Sequence, residues 1–280
     1  MKIFEKIYYD TVWDFVEGLA LVRLNGKYGF IDKTGKEVIP CKYDEAYSFS
    51  EGFARVRLNR KWGFIDKTGR EVIPLKYSFI HEFFEGFAQV LLDGNWGFID
   101  KTGREVIPCK YDWINDFSEG LAKVELNGNW GFIDKTGREV VPCKYDRIWI
   151  FNEGLARVRF IDKWGYIDKT GREVVPCKYD WINDFKEGLS KVQLNGKIGF
   201  IDKTGKEVIP CIFDGAIYDN KMFYASFNGK YGCINQLGDI IVPFIYDTIP
   251  FFEDGQIKIT NADISIIYNI EGEIVRYENI

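Results

Sequence analysis

The chain has 280 residues, a formal net charge of −5, 28 glycines and an aromatic share of 17 %, enough length for a sizeable core and a mix that suits strands and tight turns. Lysine and arginine alternate with acids and form no block, which excludes the clustered positive surface of a nucleic-acid or anionic-membrane binder. Met1-Lys2-Ile3-Phe4-Glu5-Lys6 has no apolar h-region, and nothing reaches the roughly 18 apolar residues of a membrane span, so a soluble, cytoplasmic chain without a membrane span is expected.

Self-comparison gives the strongest signal. The glycine of a Lys-Thr-Gly phrase returns every 34 residues at Gly35, Gly69, Gly103, Gly137, Gly171 and Gly205, and Gly238 and Gly272 continue it after a one-residue deletion. Seven of eight prolines keep the same register, from Pro40 and Pro74 to Pro210 and Pro243. The spacing defines one array over 1–280 with repeats near 9–42, 43–76, 77–110, 111–144, 145–178, 179–212, 213–245 and 246–280.

Residues 111–144 show what one unit predicts. Tyr111-Asp112 opens a connector in which Ile114 and Phe117 point inward, and Glu119-Gly120 is a turn. Leu121–Leu126 alternates as a strand with Ala122, Val124 and Leu126 on one face. Asn127-Gly128 is the dipeptide of a two-residue type I′ hairpin. Trp130–Asp134 returns, Asp134-Lys135-Thr136-Gly137 turns with the carboxylate capping its own backbone, and Glu139–Pro142 is a third short strand.

Each repeat therefore reads as a three-stranded antiparallel meander plus connector, with a short fourth strand conceivable in the connector. Both faces of the Trp-Gly-Phe-Ile strand are apolar, so neighbouring repeats must cover each sheet. The mid-strand glycine predicts a large aromatic lying over bare backbone. The last two repeats are degraded, as the caps of an open array would be. The expected fold is all-β, an open β-solenoid or superhelix of stacked meanders, with a closed β-propeller as the alternative.

The recurrent Asn-Gly-Lys/Asn-Trp-Gly-Phe-Ile-Asp-Lys-Thr-Gly-Arg-Glu-Val-Ile-Pro, followed by Tyr-Asp and Phe-x-Glu-Gly-Leu-Ala, resembles the bacterial WG (KWG) repeat family over nearly the whole chain. Departures are Tyr28, Tyr231 and Ile198 at the tryptophan position and the eroded eighth repeat. The resemblance implies a β-rich array and brings no catalytic residues with it.

Candidate chemistry reads as frame. Cys41, Cys109, Cys143, Cys177 and Cys211 sit whole repeats apart, and Leu75 and Phe244 fill the same position, which marks apolar packing rather than a metal knuckle or disulfides. The aspartate row Asp32, Asp66, Asp100, Asp134, Asp168 and Asp202 offers one carboxylate per loop beside a lysine, suited to turn capping and not to calcium. His81 is the single histidine, without a nucleophile elbow, and there is no Walker or dinucleotide motif. No metal, no cofactor and no enzymatic activity are expected.

The residues that break the repetition lie in the connectors. Four before the connector phenylalanine stand Thr11, Glu45, Phe79, Trp113, Arg147 and Trp181; two before it stand Trp13, Tyr47, His81, Asn115, Trp149 and Asn183. Apolar Val12, Ala46, Ile80, Ile114, Ile148 and Ile182 separate them. Trp62, Trp96, Trp130 and Trp164 belong to the repeated phrase and are expected in the core. Trp13, Tyr47, Phe79, His81, Trp113, Arg147, Trp149 and Trp181 are the candidate contact residues of a non-enzymatic binding or scaffold protein that recognises a protein or peptide. A carbohydrate or cell-wall ligand is the alternative, and an enzyme is third.

Overall fold

The computed structural model describes residues 9–219, 221–261 and 264–279. Among them are 32 strands and no helix, arranged as eight open four-stranded sheets in tandem, each a meander in simple linear order. No sheet closes into a barrel. The chain divides into two compact units, residues 1–143 and 144–280.

The third repeat shows the plan. Its strands are Phe79–Ile80, Phe87–Leu92, Asn95–Asp100 and Glu105–Tyr111. The repeats are thus four-stranded, correcting the three-stranded reading. The connector supplies the first strand, in which Phe79 pairs with Leu91 and Ile80 with Val90. Two residues are too few for an alternation pattern to register, so only the pairing reveals them.

The central hairpin turns at Asp93 and Gly94, both at positive φ (49° and 85°), as a type I′ turn requires. Between the third and fourth strands the register slips. Trp96 pairs with Tyr111 and Phe98 with Ile107, so Pro108, Cys109 and Lys110 all lie opposite Gly97. A proline cannot donate to a ladder, and a bulge is where a sheet tolerates one. A Cβ on Gly97 would stand 2.5 Å from the Ile107 carbonyl oxygen and 2.8 Å from the Cys109 nitrogen. The glycine thus makes room for the bulged fourth strand, which corrects the expectation of an overlying aromatic ring here; at Gly232 of the seventh repeat the Phe244 ring does lie over the glycine, 2.8 Å from a Cβ placed there.

Within each unit, consecutive sheets pack face to face. Within the first unit, Trp62, Phe64, Ile73 and Tyr77 of the second sheet pack with Ile80, Ala88, Val90 and Ile99 of the third. Phe98, Ile107 and Tyr111 then pack with Ile114, Ala122, Val124 and Ile133 of the fourth. Within the second unit, Tyr166, Val175 and Tyr179 meet Ile182, Val192 and Ile201 in the same way. The largest fully buried rings are the tyrosines that end the fourth strands, Tyr43, Tyr77, Tyr111, Tyr145 and Tyr179.

The Asp-Lys-Thr-Gly turns cap as predicted. Asp100 Oδ1 accepts from the Thr102 amide (2.9 Å) and hydroxyl (2.6 Å) and from the Arg104 amide (3.2 Å). The following lysines reach the Glu-Gly turn of the preceding sheet: Lys67 to Glu17 at 3.1 Å, Lys101 to Glu51 at 2.7 Å and Lys135 to Glu85 at 2.8 Å. These pairs are largely exposed and worth ~0–1 kcal/mol each, and each links a sheet to the one before it. Among the described residues no helix is long and apolar enough to cross a membrane.

Candidate aromatic recognition face

The connectors of the second to sixth repeats place their variable side chains on the short edge strand and on the residue just after it. In the first unit the rings form a continuous path. Tyr47 lies 6.0 Å from Trp62, Trp62 lies 6.5 Å from Phe79, and Phe79 lies 6.1 Å from Trp96. His81 joins at 4.9 Å from Phe79 and 6.1 Å from Trp96, and Trp113 closes the run 6.1 Å beyond Trp96. Trp13 pairs with Tyr28 at 5.9 Å. These distances and the tilted planes are those of ordinary aromatic pairs. The path crosses the second, third and fourth sheets.

The candidates differ in their surroundings. Trp13, Tyr47, Phe79, Trp113 and Trp181 keep 37–49 % of their surface in water, and His81 and Arg147 are exposed too. Trp149 is half-buried, with its ring 5.1 Å from Trp164. Trp113 Nε1 donates to Asn115 Oδ1 at 2.7 Å, which fixes the exposed indole. The structure thus brings Tyr47, Phe79, His81 and Trp113 together, while Arg147, Trp149 and Trp181 belong to the second unit.

The motif tryptophans are not uniformly core, which corrects their expected placement. Trp62 is buried, but Trp96, Trp130 and Trp164 are half-buried. Trp62 is the one enclosed by Arg55, Arg57, Tyr47 and Phe79 together. The motif tryptophans form the floor on which the connector rings rest.

A further set of residues was missed by reading the connectors alone. The third residue of the second strand in the first seven sheets faces the same side, and it reads Leu21, Arg55, Gln89, Lys123, Arg157, Lys191 and Tyr224. The Arg55 guanidinium carbon sits 3.9 Å from the Tyr47 ring centre and 5.2 Å from that of Trp62. Arg157 repeats this at 4.4 Å from Trp149 and 5.5 Å from Trp164. Lys123 Nζ lies 3.9 Å from the Trp130 ring centre, and burial pushes its pKa down. Burial lowers Lys191 likewise. The signal was available: a strand position varying among leucine, arginine, glutamine and lysine is not plain core.

The remaining titratable groups serve the frame. Burial pushes the Cys109 and Cys143 thiols up to about 11, which leaves little thiolate at neutral pH. The Thr102 hydroxyl holds the Asp100 carboxyl down at about 2, aided by Arg104. Among the described residues no group of three or more His, Cys, Asp or Glu is placed to hold a metal.

The profile of the family described as "WG containing repeat" matches residues 6–28, 28–62, 62–96, 96–130, 130–163, 164–197, 198–231 and 231–258. No curated protein matches the chain. Among solved structures it is similar to one titled "Crystal structure of the eukaryotic initiation factor", with a TM-score of 0.35 and 12 % identity over 99 % of this chain and 89 % of that one. BamB from Moraxella catarrhalis gives a TM-score of 0.30 and 12 % identity over 96 % and 87 % of the two chains. Hsv2 from Kluyveromyces lactis gives 0.30 and 8 % over 94 % and 96 %. Scores this low carry no argument about closure, ligand or activity. The family match rests on the repeated Trp-Gly-Phe-Ile-Asp unit itself, and on that ground the chain belongs to the WG-containing repeat family.

Proposed function

We propose that the chain is a non-enzymatic binding protein whose connector face recognises a protein or peptide partner. The observation that carries this reading is the unbroken run of rings from Tyr47 to Trp113, with Tyr47, Phe79 and Trp113 part-exposed against the motif tryptophans. Fixed aromatic rings give large contact area at little entropic cost, which is why they dominate recognition sites. A non-catalytic role is supported by thiols held protonated through burial and by aspartates committed to turns.

Selection of binders from a peptide display library, repeated against Trp113→Ala and Phe79→Ala, tests the reading. Peptides that bind the native chain and are lost on both variants support it. Peptides retained by both variants remove the face. A carbohydrate ligand is the second reading, favoured by the Trp113 indole fixed beside the Asn115 amide, a ring-and-amide pairing suited to a sugar. Retention on a polysaccharide matrix, abolished by Trp113→Ala, would put it first.

A further inference from the structure

We propose that Phe79, His81, Trp96 and Trp113 form a cage for a cation, and that its occupant is a lysine or arginine side chain of an extended basic peptide in a protein partner. The inference rests on the connector-face reading and names the chemistry of its ligand.

The repeats themselves provide the comparison. In the second repeat the floor carries the chain's own cation: Arg55 lies over Tyr47 and Trp62, and its Nη1 donates to the Ile80 carbonyl at 2.9 Å. In the fifth, Arg157 lies over Trp149 and Trp164, donates to the Ile182 carbonyl at 3.2 Å and pairs with Asp184 at 3.5 Å. In the fourth, Lys123 lies over Trp130. Electron-rich ring faces attract cations most strongly where water is partly excluded, and three repeats satisfy that attraction internally.

The third repeat does not. Its equivalent residue is Gln89, buried and neutral, whose Nε2 donates to Asp116 Oδ1 at 2.7 Å. Around it stand more rings than in any of those three sites: Phe79, His81 and Trp96 in mutual contact, with Trp113 against Trp96. Among the described residues no lysine or arginine lies over any of these four rings. The cage is built, and its cation has to come from outside.

The charge of the surroundings selects the partner. The connectors of the first four repeats carry Asp10, Asp14, Asp44, Glu45, Glu82, Asp112 and Asp116, and no lysine or arginine. Asp44 and Glu45 are paired with Lys27 and Arg57; Glu82 and Asp112 flank the cage from the third and fourth connectors and are exposed. An acidic rim around aromatic rings complements a basic chain and repels an acidic one. Side chains of an extended chain alternate faces, so lysines at alternate positions share the face turned toward the cage.

Isothermal titration of the whole chain with an extended peptide of about nine residues carrying lysine at alternate positions, and with its glutamate counterpart, tests the proposal. The decisive variant is Gln89→Arg. It supplies the cage with an internal cation as Arg157 does, with Asp116 in the place of Asp184, and leaves every ring intact. The lysine peptide is expected to bind and the glutamate peptide not. Gln89→Arg and Trp113→Ala should each weaken binding at least about tenfold, with thermal midpoints unchanged for Gln89→Arg. Equal binding of both peptides, or no binding of the lysine peptide, overturns the cage. If Trp113→Ala weakens binding and Gln89→Arg does not, the cage falls while the connector face stands. If neither weakens it, both fall.

Discussion

A Cβ placed on Gly97 would stand 2.5 Å from the carbonyl oxygen of Ile107. The relationship recurs between Gly63 and Ile73 at 2.4 Å and between Gly199 and Ile209 at 2.6 Å. The obstacle is backbone, which cannot swing aside as a side chain would. Gly97→Ala should therefore lower stability by about 3 kcal/mol, read from urea unfolding. A loss below about 1 kcal/mol would show that the bulge opens easily.

A different strain sits in the fifth repeat. Ile161 occupies the first position of the hairpin turn at φ 47°, where other repeats use asparagine or aspartate, and its side chain is exposed. A β-branched residue is costly in this conformation, and asparagine tolerates it. Ile161→Asn should raise stability by about 0.5–1 kcal/mol, seen as a higher urea midpoint at unchanged slope.

Acid sensitivity should trace to the capping aspartates. The Thr102 hydroxyl foremost, and Arg104 after it, lower the Asp100 carboxyl to about 2 from 3.8. A carboxyl depressed by folding contributes stability that is complete above its unfolded value and is lost as pH falls toward the folded one. Asn235 already caps an equivalent turn through its Oδ1, 2.9 Å from the Leu237 and Asp239 amides. Asp100→Asn should thus leave stability near pH 7 little changed and flatten its decline between about pH 4 and 2. An unaltered acid limb in thermal melts across that range would contradict this.

Two tryptophans of the same ring run should behave oppositely. Trp62 is 6 % exposed and packs with Phe64, Ile73 and Tyr77, so Trp62→Ala should cost about 3–5 kcal/mol. Trp113 is half in water, and Trp113→Ala should cost no more than about 1 kcal/mol. Paired denaturation curves check the contrast.

The repeat period, the two hairpin turns and the capping aspartates were legible in the sequence because each depends on local residue chemistry. Asn127-Gly128 and Asp134-Lys135-Thr136-Gly137 specify their own backbone. The first strand was legible only as a possibility within the connector, and its two residues were not, since Phe79–Ile80 is defined through pairing with Val90 and Leu91. The reason for Gly97 was hidden likewise, because the slip that puts Pro108 opposite it is a register between strands. The connector rings were identifiable as the residues that escape repetition. The cations beneath them were not, because Arg55 and Lys123 sit in what reads as an ordinary alternating strand, and only the pairing of strands within each sheet brings them beside Tyr47 and Trp130.

The central claim is that the repeated phrase builds the frame while the connector rings recognise a partner. Its most direct test is to measure, for Trp113→Ala and the unaltered chain side by side, the thermal midpoint and the affinity for a display-selected peptide. The account predicts a midpoint within about 3 °C of the unaltered chain and an affinity lower by at least about tenfold. A large fall in midpoint with affinity preserved would make Trp113 a packing residue and contradict the claim.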